Sequence, residues 1–155
     1  MTVSDHSDRA SRIAMLGVLR VLTSAMLVID AVIHLQQAAN YQLAAPGGIG
    51  AGNIFRIEAM FAILAAAFVL LRASRLSFFV ALVVAGSAFA AVLVYRYVDI
   101  AGFGPIPSMY EPVWFPAKTF SAVAEGIGAL SAAVAIALLS RTSSGKGSAN
   151  SIPKP

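Results

Sequence analysis

The sequence predicts an all-α fold, a polytopic membrane four-helix bundle with both termini cytoplasmic. Three observations predict it. Hydrophobic residues make up 59% of the 155 and charged residues only 12%, with mean hydropathy +0.81; a soluble domain carries about 25% charged residues. The chain holds four long apolar runs, each near the ~20 residues that cross a bilayer. The positive charges gather at the ends of these runs, where membrane orientation accounts for them.

Residues 1–12 (MTVSDHSDRASR) are polar and read as a disordered cytoplasmic tail. The first helix is predicted over 13–37. A cleaved signal peptide would need an uninterrupted apolar core. Arg20 interrupts it and the apolar run continues, so an uncleaved helix is expected. An outer loop over 38–53 follows, rich in glycine and polar residues. The second helix is expected over 54–71, and Arg72 and Arg75 bracket a tight turn. The third, over 76–97, carries Ala81, Ala85, Gly86 and Ala90 at the spacing that lets helices approach closely.

A second outer loop covers 98–115. The stretch from Asp99 to Glu125 contains four of the seven prolines and the only tryptophan, Trp114. Pro116 opens the fourth helix, 116–140, at the position proline favours. Ala124, Gly128 and Ala132 form a small-residue stripe on it. Residues 141–155 read as a disordered cytoplasmic tail. No internal repeat is visible.

Four spans place both termini on one side. Arg9, Arg12, Arg72, Arg75, Arg141, Lys146 and Lys154 fall there, so that side is expected to be cytoplasmic. Arginine outnumbers lysine and alanine is abundant, a composition like that of a high-GC bacterial genome, so a bacterial plasma membrane is expected. The pI of about 9.9 reflects this arrangement. No basic face forms, so nucleic acid is not an expected partner. The chain has no cysteine, which excludes disulfides, thiolate metal sites and thiol nucleophiles.

With that topology every acid outside the N-terminal tail lies in the outer half: Asp30, Glu58, Asp99, Glu111 and Glu125. Arg56, Arg96, Lys118 and His34 lie there too. Glu125 is roughly 13 Å into the fourth helix. An acid at that depth costs ~2.5–3.5 kcal/mol on insertion scales, so it faces the bundle interior or a wet cavity. Asp30 and His34 are four apart and share a helix face. Lys118 and Glu125 share a face but sit ~10 Å apart along the axis, so each needs another partner. Lys118 stands against the helix dipole, which calls for an acidic partner such as Glu58 or Glu111, or an anionic ligand.

Asp30, His34, Arg56, Glu58, Lys118 and Glu125 are therefore the candidate pocket. Arg96, Asp99, Tyr110, Glu111 and Trp114 form its outer loop and interface. The structural alternative is that buried pairs only fix helix register and that Tyr95, Tyr97, Tyr110 and Trp114 are an interfacial aromatic belt.

His34 is the only histidine outside the tail, so one chain offers no bis-histidine haem; His–Met ligation would need Met26, Met60 or Met109. Asp30, His34, Glu58 and Glu125 are suitable metal-ligand types, but no spacing motif supports a metal, and none is predicted. No phosphate loop or nucleophile elbow is present. Proton exchange between His34 and Asp30 near neutral pH is compatible with the sequence.

The runs LRVLTSAMLVIDAVIHL, IFRIEAMFAILAAAFVLL and EPVWFPAKTFSAVAE resemble an uncharacterised group of small four-helix integral membrane proteins of actinobacterial type. The first-helix arginine and the layout are similar to the DoxX-like group, some of which are linked to quinone-coupled oxidation. The resemblance covers about residues 16–140 and implies the topology and a quinone as a candidate ligand. No DoxX-type catalytic motif is recognisable. Three functions follow as expectations: an outward-facing pocket for a lipid or quinone headgroup or a partner's charged segment; a quinone-linked redox or proton-coupled enzyme; and an accessory subunit of a larger membrane complex or a homo-oligomer. No cofactor is predicted apart from that quinone.

Overall fold

Proline decides where the first helix ends. The residue before a proline is driven out of the helical region, and the first break after Gly17 is Pro46. In the computed structural model, which describes residues 3–147 and the side chains of residue 7 and residues 9–140, helix α1 runs Val3–Ala44. Helices α2, α3 and α4 span Ala51–Arg72, Arg75–Tyr97 and Pro116–Gly147.

These bounds differ from the sequence expectation in two places. Ala38 to Ala44, expected as loop, complete α1, and residues 51–53, also expected as loop, open α2, so the first connection shrinks to residues 45–50. The Gln, Asn and Ala side chains of residues 38–44 are compatible with a helix, and only Pro46 stops it. The terminal tails are also helical in part, from Val3 and as far as Gly147. No proline or glycine interrupts residues 3–16. Residues 148–155 lie outside the described residues.

Each helix contains a segment long and apolar enough to cross a membrane: Arg9–Ala44, Ala51–Arg72, Arg75–Tyr97 and Pro116–Ser140. Their outward faces carry Val21, Val28, Phe61, Leu64, Phe79 and Leu130, all well exposed. Such a surface suits lipid, because lipid tails are as apolar as leucine.

Helix α1 packs on α2 and α4, and α3 packs on α4, while α2 and α3 are the least closely packed neighbours. The bundle is thus a four-cornered ring in chain order. Its core is built from small residues, with Ala59, Ala62, Ala81, Ala85, Ala132 and Ala135 almost fully buried around Leu27, Val69 and Phe78. Close approach of helices through such residues maximises dispersion contact where no hydrophobic effect acts between spans. Gly128 of α4 faces Met26 and Ala85, at which an added Cβ would be 3.4 and 3.6 Å away. The stripe expected on α4 is therefore consumed inside the bundle, as are Ala81 and Ala85 of α3, whereas Ala90 is exposed and nothing lies within 4 Å of a Cβ added at Gly86.

At one end the α2–α3 turn is tight. Ala73 takes a left-handed conformation (φ 44°) and Ser74 caps α3 in a capping box with Ser77. At the other end, here termed the loop end, the two longer connections meet. The Ile49 N–H donates to the Pro105 carbonyl at 2.8 Å. Gly48 allows this approach: its φ is 60°, and a Cβ there would strike the Pro105 carbonyl.

A polar pair ties α1 to α4 inside the apolar core. Thr23 Oγ1 lies 2.8 Å from Ser131 Oγ, and Ser131 donates to the Gly128 carbonyl. Thr23 is thereby left as the donor to Ser131. Thr23→Val keeps the shape and removes this bond. It is expected to lower stability by about 0.6–1 kcal/mol, read from reversible unfolding in mixed micelles. A variant as stable as wild type would show that the bond adds nothing.

Candidate functional site

Two i, i+4 pairs on facing helices create the site. On α1, Asp30 and His34 point inward; on α4, Ser121 and Glu125 do so at the same level. All four are buried, Asp30 and Glu125 to 0% and 1% exposure. His34 Nδ1 is 3.0 Å from Asp30 Oδ1 and 3.1 Å from the Asp30 carbonyl oxygen. Ser121 Oγ donates to Asp30 Oδ1 at 2.7 Å and lies 3.1 Å from Glu125 Oε1. Its single hydrogen is shared between two carboxylates contributed by two helices.

Donors fall short here. Asp30 Oδ2 and Glu125 Oε2 are buried without a hydrogen-bond partner, as is Glu58 Oε1 on α2. A buried, unpartnered acceptor costs about 1–3 kcal/mol, and more when charged. One ligand atom from each of Asp30, His34 and Glu125 lies within 4.8 Å of the other two.

Above this cluster, toward the loop end, is a cavity of about 460 Å³. His34, Glu58, Lys118 and Ser121 line it, so the cluster forms part of its floor. Its walls come from Ile33, Phe55, Val92 and Phe115, and Ile49, Ile106 and Met109 of the two loops border it at the loop end. Residues 54–58 of α2 and 87–95 of α3 contribute to the lining, so the cavity occupies the space between the two least closely packed helices. Its size is in the range of small-molecule sites, and a mainly apolar lining with a few polar groups is their usual chemistry. Aromatic rings stiffen one wall: Tyr41 stacks on Phe55 with centroids 4.2 Å apart, and Phe55 lies 4.9 Å from the His34 ring.

The structure sorts the expected site residues. Asp30, His34 and Glu125 meet directly, and Glu58 and Lys118 face the cavity. Lys118 Nζ donates to the backbone carbonyl of Glu111, not to a carboxylate, and sits 5.6 Å from the Trp114 ring. Arg56 stands apart: it is exposed and donates to Asn53 Oδ1 at 2.7 Å. Among the interface residues, Glu111 moves into the cavity lining, held by its N–H to the Tyr95 carbonyl. Arg96 lies over the Tyr97 ring at 5.0 Å. Asp99, Tyr110 and Trp114 are exposed.

Ser121, Tyr41 and Phe55 were not among the expected site residues. Ser121 had a visible signal: Lys118, Ser121 and Glu125 fall at i, i+3 and i+7, one polar stripe on an apolar helix. Tyr41 and Phe55 had none, because they lie where a loop and a helix start were expected.

No protein-family model, no curated protein and no solved structure matches the chain significantly.

Proposed function

We propose that this is a small bacterial inner-membrane protein, with cytoplasmic termini, whose outward-facing cavity holds the polar head of a lipid-soluble molecule, a lipid or a quinone. The observation that carries this is the cavity itself. Its lining is mainly apolar and aromatic, with polar groups set among it, His34, Glu58, Glu111, Lys118 and Ser121 at the end nearest the cluster and the loops. That division matches an amphiphile with an oxygen-bearing head, the Lys118 ammonium, which has hydrogens beyond the one given to the Glu111 carbonyl, being the donor such oxygens require. The proposal rests on this geometry and not on the resemblance to the DoxX-like group. The orientation rests on the arginines and lysines at the termini and the α2–α3 turn.

A second reading, a quinone-linked or proton-coupled enzyme, draws on one observation. His34 and Ser121 line the cavity and also touch Asp30, so exchangeable protons connect the cavity with buried carboxylates. An accessory-subunit role has less support. Most of the small residues that would recruit a partner, Ala81, Ala85, Ala124, Gly128 and Ala132, are packed inside the bundle.

Native mass spectrometry of the gently solubilised protein tests the proposal, after incubation with decyl-ubiquinone or with phosphatidylglycerol. Wild type is expected to retain one molecule of one of them per chain. Ala88→Phe, which places a ring in the cavity from a position 7% exposed, is expected to retain none. Equal retention by both proteins, or none by either, would remove the cavity as a ligand site.

A further inference from the structure

We infer that Asp30, His34 and Glu125 bind one divalent first-row transition-metal ion beneath the cavity. The inference does not depend on what the cavity holds.

Geometry comes first. The ligand atoms of the three side chains lie within 4.8 Å of one another. Metal–nitrogen and metal–oxygen bonds of about 2.0–2.2 Å meeting at right angles put neighbouring ligand atoms about 3 Å apart. His34 Nδ1 and Asp30 Oδ1 are 3.0 Å apart. Inward-facing carboxylate and histidine side chains on facing helices, two of them at helical spacing, are also how helical bundles build metal sites in their cores.

Charge is the second observation. Asp30 and Glu125 are 0% and 1% exposed, and no arginine or lysine among the described residues bonds to either. Lys118 is engaged by the Glu111 carbonyl, Arg56 by Asn53, and Arg96 lies over Tyr97. Metal ligands bind deprotonated, and in that form two carboxylates beside a neutral imidazole carry a charge of −2, which a divalent ion balances. An isolated buried charge is among the most costly arrangements in a protein.

The third observation is independent of both. Asp30 Oδ2 and Glu125 Oε2 are buried with no partner. A cation between the two carboxyl groups supplies one to each. Glu58 Oε1, also buried and without a partner, borders the cavity with His34. Ser121, bonded to both carboxylates, orients them as outer-shell groups do in metal sites.

One imidazole, carboxylates and no thiolate select manganese, iron or zinc over copper(I).

Full-length His6→Ala protein, stripped with chelator in detergent, is titrated with Mn²⁺ by electron paramagnetic resonance. This leaves His34 as the only histidine. One ion per chain is expected, with an imidazole nitrogen coupling in the pulsed spectrum. Asp30→Asn and Glu125→Gln are each expected to weaken binding by more than about 100-fold, beyond what loss of an outer-shell group causes. Arg56→Gln is expected to bind as the parent does. If the carboxylate variants fail to fold, the nitrogen coupling in the parent decides alone. Absence of binding at millimolar Mn²⁺, an ion without that coupling, or equal binding in well-folded carboxylate variants would overturn the inference.

Discussion

Ser121→Ala is expected to destabilise the bundle by about 3 kcal/mol, the upper part of the range for stranding a buried acceptor. The hydroxyl links the carboxyl groups of α1 and α4. Asp30 keeps His34 after the substitution. Glu125, 1% exposed, keeps no donor among the described residues, because its other oxygen already lacks one. The double variant Ser121→Ala/Glu125→Leu removes both partners and fills much of the same volume. It should recover most of the loss, since replacing both members of a buried pair by apolar groups is nearly neutral. Unfolding titrations in mixed micelles give both values. A double variant as unstable as the single one would mean that the serine acts through packing.

Gly52→Ala is expected to destabilise by about 1–3 kcal/mol, the cost of overpacking a tight contact. In an isolated helix the same change stabilises by up to about 1 kcal/mol, so the contact must outweigh propensity. It does so because an added Cβ would strike the Ala38 carbonyl oxygen and crowd Gln42 of α1, and a backbone oxygen in a regular helix has nowhere to go. Gly17 provides the control. Nothing lies within 4 Å of its added Cβ, so Gly17→Ala should stabilise. The two variants, measured in the same micelles, are expected to move in opposite directions, and loss of stability at both positions would place the effect in the glycine itself and not in the α1–α2 contact.

Both results bear on what the sequence could reveal. The four helices were legible because apolar length is a local property, and Asp30 with His34 was legible because i, i+4 spacing is too. Glu125 declared itself by the cost of an acid at that depth. Ser121 carries no such cost, since a serine enters a membrane helix easily; beyond the stripe it shares with Lys118 and Glu125, it takes its meaning from neighbours 91 and four residues away. Arg56 was grouped with the pocket by its depth alone. The buried stripe of α2, Ala59, Ala62, Ala66 and Val69, leaves it on the exposed flank. The cavity was out of reach, because its volume depends on how far α2 stands from α3, which no single segment encodes. The stretch Ala38 to Ala44 was misread for a different reason: polar residues suggested a loop, while the helix answers to Pro46.

The separation between Asp30 and Ser121 also has a consequence in time. At about 5–20 residues per second, ribosomes need roughly 5–18 s to add the 91 residues between them. For that interval the first hairpin exists without α4, and the Asp30 carboxylate has only His34, one turn along its own helix. The polar face of α1 is thus completed only once α4 has left the ribosome. A chain that stops short of α4 keeps Asp30 uncovered, so a half-made copy differs from a finished one by a carboxylate presented to the surrounding lipid.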